Sequence, residues 1–174
     1  MQPADFHIRL EAESDAAALS LLSAQAFGPG RFARTAYRIR EGVAPVASLA
    51  LAAWLDERII GGIRFTEVAI GEAGNALLLG PLVVDPVHAG KGYGRALVQE
   101  GLTRARAEGF AHVLLVGDMP YYGRFGFVPV PPGQITLPGP VDPARLLVLE
   151  LAPGAQASAV GQVKALASAP RGTR

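Results

Sequence analysis

One stretch of the chain, Leu77 to Gly109, restricts the possible folds more than any other. It starts with the continuous apolar run Leu77–Val84, typical of a strand that is buried on both faces of a sheet. An amphipathic helix is predicted over Arg95–Glu108, and a second apolar run, His112–Val116, follows it. Two strands joined by a helix in this way must be parallel, with a right-handed connection.

The first of these runs is interrupted by Gly80 and Pro81. Proline has no N–H to donate to a ladder, so a central strand must be bulged or broken where it occurs. Such an irregularity often marks a functional site.

Further elements are predicted on both sides of this unit. A helix begins after Ser14 or Asp15 and ends at Gly28, and a second helix covers Arg31–Arg40. A turn is predicted over Glu72–Asn75. The remaining predicted strands are Phe6–Leu10, Ala47–Leu55, Ile59–Ile70, Phe127–Val130 and Leu146–Leu151. The pattern predicts an α/β (layered α+β) fold: a mixed, mostly antiparallel sheet with a central parallel strand pair and helices on both faces.

The chain has 174 residues, the length of a single domain, which we expect to cover residues 1–152. Residues 153–174 are rich in Ala, Gly and Pro, and we expect them to form a partly ordered tail. The net charge of +1 provides no field for binding nucleic acid. There is no cysteine, and we expect no metal site. No apolar run is long enough to span a membrane, and we expect a cytoplasmic protein.

The turn before the second helix is rich in glycine, with Gly90, Gly92 and Gly94 at alternate positions. Its N–H groups can approach an anion at the positive end of the helix, or the glycines can simply shape a tight turn. Arg95 stands where a dinucleotide fingerprint needs glycine, and Gly92 stands where a P-loop needs Ser or Thr. Lys91 and Arg95 either add charge to an anion site or are solvated cations, and His88 is more simply a solvent-facing loop residue.

Three blocks of this sequence, in order, resemble the GNAT superfamily of N-acetyltransferases. Ala89–Gly94 is similar to the family's Gln/Arg-x-x-Gly-x-Gly/Ala motif at both glycine positions, although Ala89 replaces the leading Gln or Arg. Leu79–Pro86 resembles the strand that precedes this motif. Tyr121–Phe127 resembles the family's Phe-Tyr-x-x-x-Gly-Phe segment. The similarity covers Leu77–Val130.

The resemblance implies a GNAT-like fold and an enzyme that moves the acetyl group of acetyl-CoA to a primary amine. It implies that the backbone of Leu82, Val83 and Val84 binds the pantetheine arm and the acetyl carbonyl. It also implies that the phosphates lie on the turn. The turn residues so implicated are Ala89, Gly90, Lys91, Gly92, Tyr93, Gly94 and Arg95.

The same resemblance implies that Tyr122 protonates the leaving thiolate, with Tyr121 as a substitute. Both tyrosines can also be read as amphipathic core aromatics. Some relatives use a glutamate on the central strand as general base, but Leu77–Val84 contains no acidic residue. Glu67 on the preceding strand is a candidate base or an ordinary exposed acid, and Asp118 is a weaker candidate.

Three functions stay open at this level: direct acetyl transfer, a non-catalytic CoA-binding sensor or interaction domain, and a nucleotide-binding module of another fold. The acceptor, a small-molecule or peptide amine, cannot be read from the sequence, because its pocket falls in the weakly matched region Phe27–Gly42 and in late loops. We expect a monomer or a homodimer.

Overall fold

A computed structural model describes residues 4–30 and 34–166, in which the chain forms a mixed sheet and four α-helices. The strands are β1 Phe6–Leu10, β2 Leu51–Leu55, β3 Arg58–Ile70, β4 Ala73–Val84, β5 His112–Val116, β6 Val128–Pro129, β7 Ile135–Thr136, β8 Leu146–Glu150 and β9 Gly161–Ala165. The helices are α1 Ala16–Phe27, α2 Thr35–Arg40, α3 Tyr93–Ala107 and α4 Met119–Tyr122. Among these helices, none has both the length and the apolarity needed to cross a bilayer.

The strands follow the spatial order β1-β2-β3-β4-β5-β8-β6. Along this path every neighbouring pair is antiparallel except β4 and β5, which are parallel and joined through α3. The predicted mixed sheet with a central parallel pair is therefore confirmed.

Helices cover both faces of the sheet, because successive residues of a strand point to opposite sides. On β4, Leu77 and Leu79 belong to the apolar cluster under α3, whereas Ala76 and Leu78 belong to the cluster that contains Ile39 of α2. Near the end of β4, Val83 packs against Leu19 and Leu22 of α1. The contact between α3 and the sheet is close, since a Cβ on Gly101 would lie 2.5 Å from Cε2 of Phe65.

Several predicted boundaries were wrong. The turn predicted over Glu72–Asn75 contains only Gly71 and Glu72, since Ile70 pairs with Ala73, and a two-residue hairpin of this kind is the tightest connection between antiparallel strands. The segment Ala47–Leu49 is a 3-10 turn rather than strand. Helix α2 begins only at Thr35, and Arg31–Ala33 of the predicted helix lie outside the described residues.

The segment after residue 152 contributes to the sheet, although no strand was predicted there. Strand β9 pairs with the end of β3, where Val68 lies opposite Ala165, and with β7. The N–H of Leu166 donates to the carbonyl of Glu67 at 2.8 Å. Residues 167–174 of the predicted tail lie outside the described residues.

Candidate active site

Strands β4 and β5 pair only at their beginnings and then separate. The parallel register covers Ala76–Leu78 on β4 and His112–Leu114 on β5. Beyond it, a cavity of about 450 Å³ is lined by both strands, including Leu82 on β4 and Val116 on β5. The edge of β4 that faces this cavity has no neighbouring strand, so its polar backbone groups are available to a ligand.

The bulge predicted at Gly80 and Pro81 is present at this point. Ile63 of β3 lies opposite Leu82 and Phe65 lies opposite Leu79, so β4 contains one residue more than β3 between the two pairs. Gly80 has a φ of 135°, which favours glycine, and its peptide bond to Pro81 is cis. The bulge thus interrupts the ladder beside the cavity, as the sequence predicted.

The glycine-rich turn meets the same end of β4. Gly90 and Gly92 have φ values of 74° and 89°, a region that L-residues rarely adopt, yet a Cβ at either would meet nothing within 4 Å. The N–H of Ala96 donates to the carbonyl of Gly92. Within the described residues, no backbone carbonyl accepts a hydrogen bond from the N–H groups of residues 90–95. The positive end of α3 therefore presents free donors beside open space, a fit for phosphate oxygens.

The side chains of the turn face different ways. The ring of Tyr93 packs on Phe6, with 4.8 Å between centroids, and meets the ring of His88 edge to face at 6.0 Å. Lys91 and Arg95 are exposed, as is Ala89. The predicted anion site thus consists mainly of backbone groups, and Lys91 and Arg95 lie at its solvent side.

Tyr122 lines the larger cavity and is held in a cluster of aromatic rings. Its ring centroid lies 4.9 Å from that of Tyr121 and 5.9 Å from that of Phe127. A Cβ on Gly117 would lie 2.6 Å from this ring, so the absence of a side chain at Gly117 makes room for it. Burial, and then the neighbouring Tyr121 and Asp118, raise the pKa of Tyr122 to about 12. The hydroxyl is a neutral proton donor across the physiological range.

Tyr121 has a different environment. Its hydroxyl lies 2.8 Å from the position that a Cβ on Gly94 would occupy, above the first turn of α3. Burial raises its pKa, against the opposing charges of Arg124 and Arg95. Arg124 lies over the Tyr121 ring at 5.1 Å. The two rings are in contact, but Tyr122, not Tyr121, lines the cavity between β4 and β5.

The two carboxylates predicted as general base also lie apart. Asp118 lines the larger cavity with Tyr122 and forms an ion pair with Arg145, 3.4 Å between Oδ1 and Nε. Glu67 is opposite Leu77 on β3, well before the bulge, and lines neither of the two cavities described in this section. The structure does not bring Glu67 to Tyr122.

A second cavity, of about 330 Å³, lies on the other side of the bulge and was missed by the sequence reasoning. It is lined by α1, α2, β3 and β4. It includes two arginines, Arg40 of α2 and Arg64 of β3. Four residues line both cavities: Tyr37, Arg40, Gly80 and Pro81. The sequence indicated this cavity only indirectly, because α2 falls in the weakly matched region Phe27–Gly42.

Comparison with known proteins decides the family. The sequence model of the acetyltransferase (GNAT) family matches residues 17–127. The chain belongs to the GNAT family. Among its relatives, the uncharacterized N-acetyltransferase YhbS of Escherichia coli K12 is 35% identical over 122 residues, 69% of this chain and 72% of that protein. YjhQ, named in the same way in that strain, is 31% identical over 127 residues, 71% and 70% of the two chains.

Solved GNAT structures share the fold. E. coli YhbS in complex with CoA matches with a TM-score of 0.81 and 27% identity, over 95% of this chain and 92% of that one. A GNAT acetyltransferase from Brucella melitensis in complex with acetyl-CoA matches with a TM-score of 0.67 and 31% identity, over 86% and 90%. The predicted family and GNAT fold are confirmed.

Proposed function

We propose that this protein moves the acetyl group of acetyl-CoA directly to a primary amine. One observation carries the proposal: the half-buried Tyr122, whose pKa is raised to about 12, and the unpaired edge of β4 line the same cavity, beyond the bulge at Gly80. The complexes of YhbS with CoA and of the Brucella protein with acetyl-CoA support it.

The residues present fit acetyl-CoA. The backbone of Leu82, Val83 and Val84 would bind the pantetheine arm and the acetyl carbonyl along the open edge of β4. The free N–H groups from Gly90 to Arg95 would bind the pyrophosphate, with Lys91 and Arg95 at the solvent side. Ala89 has no polar side chain for a phosphate contact, so the backbone would provide most of the contacts. The bound thioester supplies an activated acetyl group.

Tyr122 would act as the general acid. A departing thiolate needs a proton, and a phenol whose pKa is raised to about 12 still holds its proton at every pH at which an enzyme of this kind works. Its ring packs against Phe127, and the residue lines the cavity between β4 and β5, where the thiolate would leave.

A general base must take a proton from the acceptor's ammonium, whose pKa is about 10.4 for a lysine-like group, so that the neutral amine can attack. Asp118 lines the cavity that contains Tyr122, so we place it ahead of Glu67 for this role. Glu67 stays a prediction, acting directly or through water.

Direct transfer is supported by the contact between the two cavities. The chain has no cysteine, so no acyl-cysteine can form. Because both cavities reach Gly80 and Pro81, an amine in the smaller cavity can approach an acetyl group in the larger one without an intermediate carrier.

The test measures thiol release from acetyl-CoA with a panel of amines, together with CoA affinity. We expect Tyr122→Phe to lower kcat about 10²-fold, within the usual range for a general acid, while the Kd of CoA is unchanged. Tyr121→Phe is the paired variant and should lower kcat less than about threefold, because its hydroxyl lies over α3. Normal turnover in Tyr122→Phe would remove Tyr122 from the role. CoA binding without amine-dependent thiol release would favour a sensor domain instead.

A further inference from the structure

Two arginines line the smaller cavity, and only one of them is paired with a carboxylate of the protein. This difference indicates what the cavity binds. The inference rests on the proposed function, in which the cavity receives the acceptor. Its lining is otherwise mainly apolar or uncharged, with Leu19, Val43, Pro45 and Ile63 among the apolar residues.

The charge of Arg64 is matched within the protein. Its Nε donates to Oε2 of Glu11 at 2.9 Å, and its Nη2 contacts Oε1 of the same carboxylate. This bidentate pair raises the pKa of Arg64. Arg64 thus has no need of a ligand, and Glu11 is not available to bind a cation.

Arg40 has no such partner. Among the described residues, no carboxylate forms an ion pair with its guanidinium and no acceptor receives a hydrogen bond from it; its contact is the ring of Tyr37, 5.3 Å from Cζ. Burial, opposed by Tyr37 and reinforced by Arg64, lowers its pKa to about 10. The adjacent Glu41 lines the same cavity, but its side chain is exposed and forms no ion pair in the described part of the chain. Arg40 is therefore a partly buried cation without an internal counter-ion.

Gly80 makes room for this guanidinium. A Cβ at Gly80 would collide with Nη1 of Arg40, so the bulge of β4 and the arginine occupy adjacent space. Since Arg40 lines both cavities, an anion bound to it lies beside the place where the acetyl group is transferred.

We propose that the acceptor carries an oxyanion within a few bonds of its primary amine, and that Arg40 binds this group. The planar guanidinium fork suits a carboxylate, which makes α-amino acids with apolar side chains the acceptor class that fits best. The apolar lining contributed by Leu19, Val43 and Ile63 receives the side chain. A phosphonate in place of the carboxylate offers the same chemistry.

Matched acceptors test the proposal. L-leucine is compared with isoamylamine, and L-phenylalanine with phenethylamine. Both amino acids are also compared with the 1-aminophosphonate analogue of leucine. In the wild type we expect kcat/KM for the amino acid to exceed that for the decarboxylated amine by at least about tenfold. Arg40→Met should lower this ratio about tenfold relative to the wild type. Because each ratio is compared between enzymes, the different basicities of the amines cancel.

Arg38→Met is the matched control, since Arg38 is an exposed arginine of the same helix that lines neither cavity, and it should keep the wild-type ratio. An unchanged ratio in Arg40→Met would overturn the proposal. The phosphonate arm decides whether the carboxylate itself, or any oxyanion, is recognised.

A binding measurement separates failure of this inference from failure of the proposed function. N-acetyl-L-leucine, added to the CoA-bound protein, should raise the Tm of the wild type and of Arg38→Met but not of Arg40→Met. If no amine is acetylated but this pattern holds, the transfer reaction is wrong and the anion site stands. If N-acetyl-L-leucine does not stabilise the wild type, the anion site is overturned whether or not amines are acetylated.

Discussion

The protonation state of Tyr122 leads to a prediction for the pH dependence of the reaction. Its pKa is raised to about 12 by burial, so the acid form is complete below this value and is lost only as the pH rises through it. The acceptor amine must lose its proton, with a pKa of about 10.4 for an alkyl amine. We expect kcat/KM to rise with pH from about 6 to 10 without a descending limb.

A pH–rate profile with an alkyl amine checks this expectation. A descending limb with a midpoint below about pH 10, present in the wild type and absent in Tyr122→Phe, would contradict the assigned environment of the hydroxyl.

The ion pair between Glu11 and Arg64 leads to a prediction for stability. The side chain of Glu11 is 10% exposed, so Glu11→Gln leaves a partly buried guanidinium without its counter-ion. Because the Arg64 side chain is 35% exposed and water replaces part of the interaction, we expect a loss of only about 1–2 kcal/mol in the free energy of unfolding. Thermal unfolding should show a Tm lower by about 2–8 °C.

Glu13→Gln removes the same charge from an exposed position and serves as the control, with an expected change within about ±0.5 kcal/mol. Equal Tm values for the two variants would show that the pair between Glu11 and Arg64 adds nothing to stability.

At the scale of elements, the parts of the site made by neighbouring residues were readable from the sequence. Proline lacks an N–H, so Pro81 required a bulge, and alternate glycines before a helix required an open turn. The parallel pair of β4 and β5 followed from the strand–helix–strand order. These features depend on local chemistry within one continuous segment.

The smaller cavity, which we propose receives the acceptor, could not be predicted because its residues come from distant elements. Glu11, Arg40 and Arg64 meet only after the strands pair and α2 packs over the sheet, and no local periodicity encodes that approach. Glu67 was selected because it is an acid near the central strand, but the pairing of β3 with β4 places it opposite Leu77, and it lines neither cavity. The sequence pattern predicts on which face of a strand a residue lies, whereas the pairing register determines which residues lie next to it.

The glycine turn before α3 leads to a prediction that separates folding from binding. Gly92→Ala forces a Cβ onto a residue with a φ of 89°, in space where it meets no neighbour, so the strain of about 1–2 kcal/mol is purely conformational. Relaxation of that strain would move the free N–H groups, and we expect CoA to bind about tenfold more weakly by titration calorimetry.

Gly133→Ala is a matched control, because Gly133 also has a positive φ of 78° and open space around its Cβ position but lies in the loop between β6 and β7. It should lower the Tm by a similar amount and leave CoA affinity unchanged. If both variants bind CoA like the wild type, the turn is not the phosphate site.

At the scale of the whole molecule, α3 joins the apolar core to the site. The cluster beneath it contains Phe65, Leu97 and Phe110, all nearly fully buried, and the N-terminus of the same helix carries the glycine turn. A change in how α3 sits on the sheet should therefore alter both stability and CoA affinity.

Gly101→Ala tests this connection. Alanine favours a helix over glycine by about 1 kcal/mol, but its Cβ would lie 2.5 Å from the ring of Phe65, which is fully buried and closely packed. Overpacking of this kind costs about 1–3 kcal/mol, so the clash should win and the free energy of unfolding should fall. Because the strain would displace α3 from the sheet, CoA should also bind more weakly. Gln99→Ala, on the exposed face of α3, is the control and should change neither the free energy of unfolding nor the CoA affinity. Denaturant unfolding, measured with and without CoA, distinguishes the cases. A Gly101→Ala protein that is less stable but binds CoA normally would mean that the core and the turn are independent.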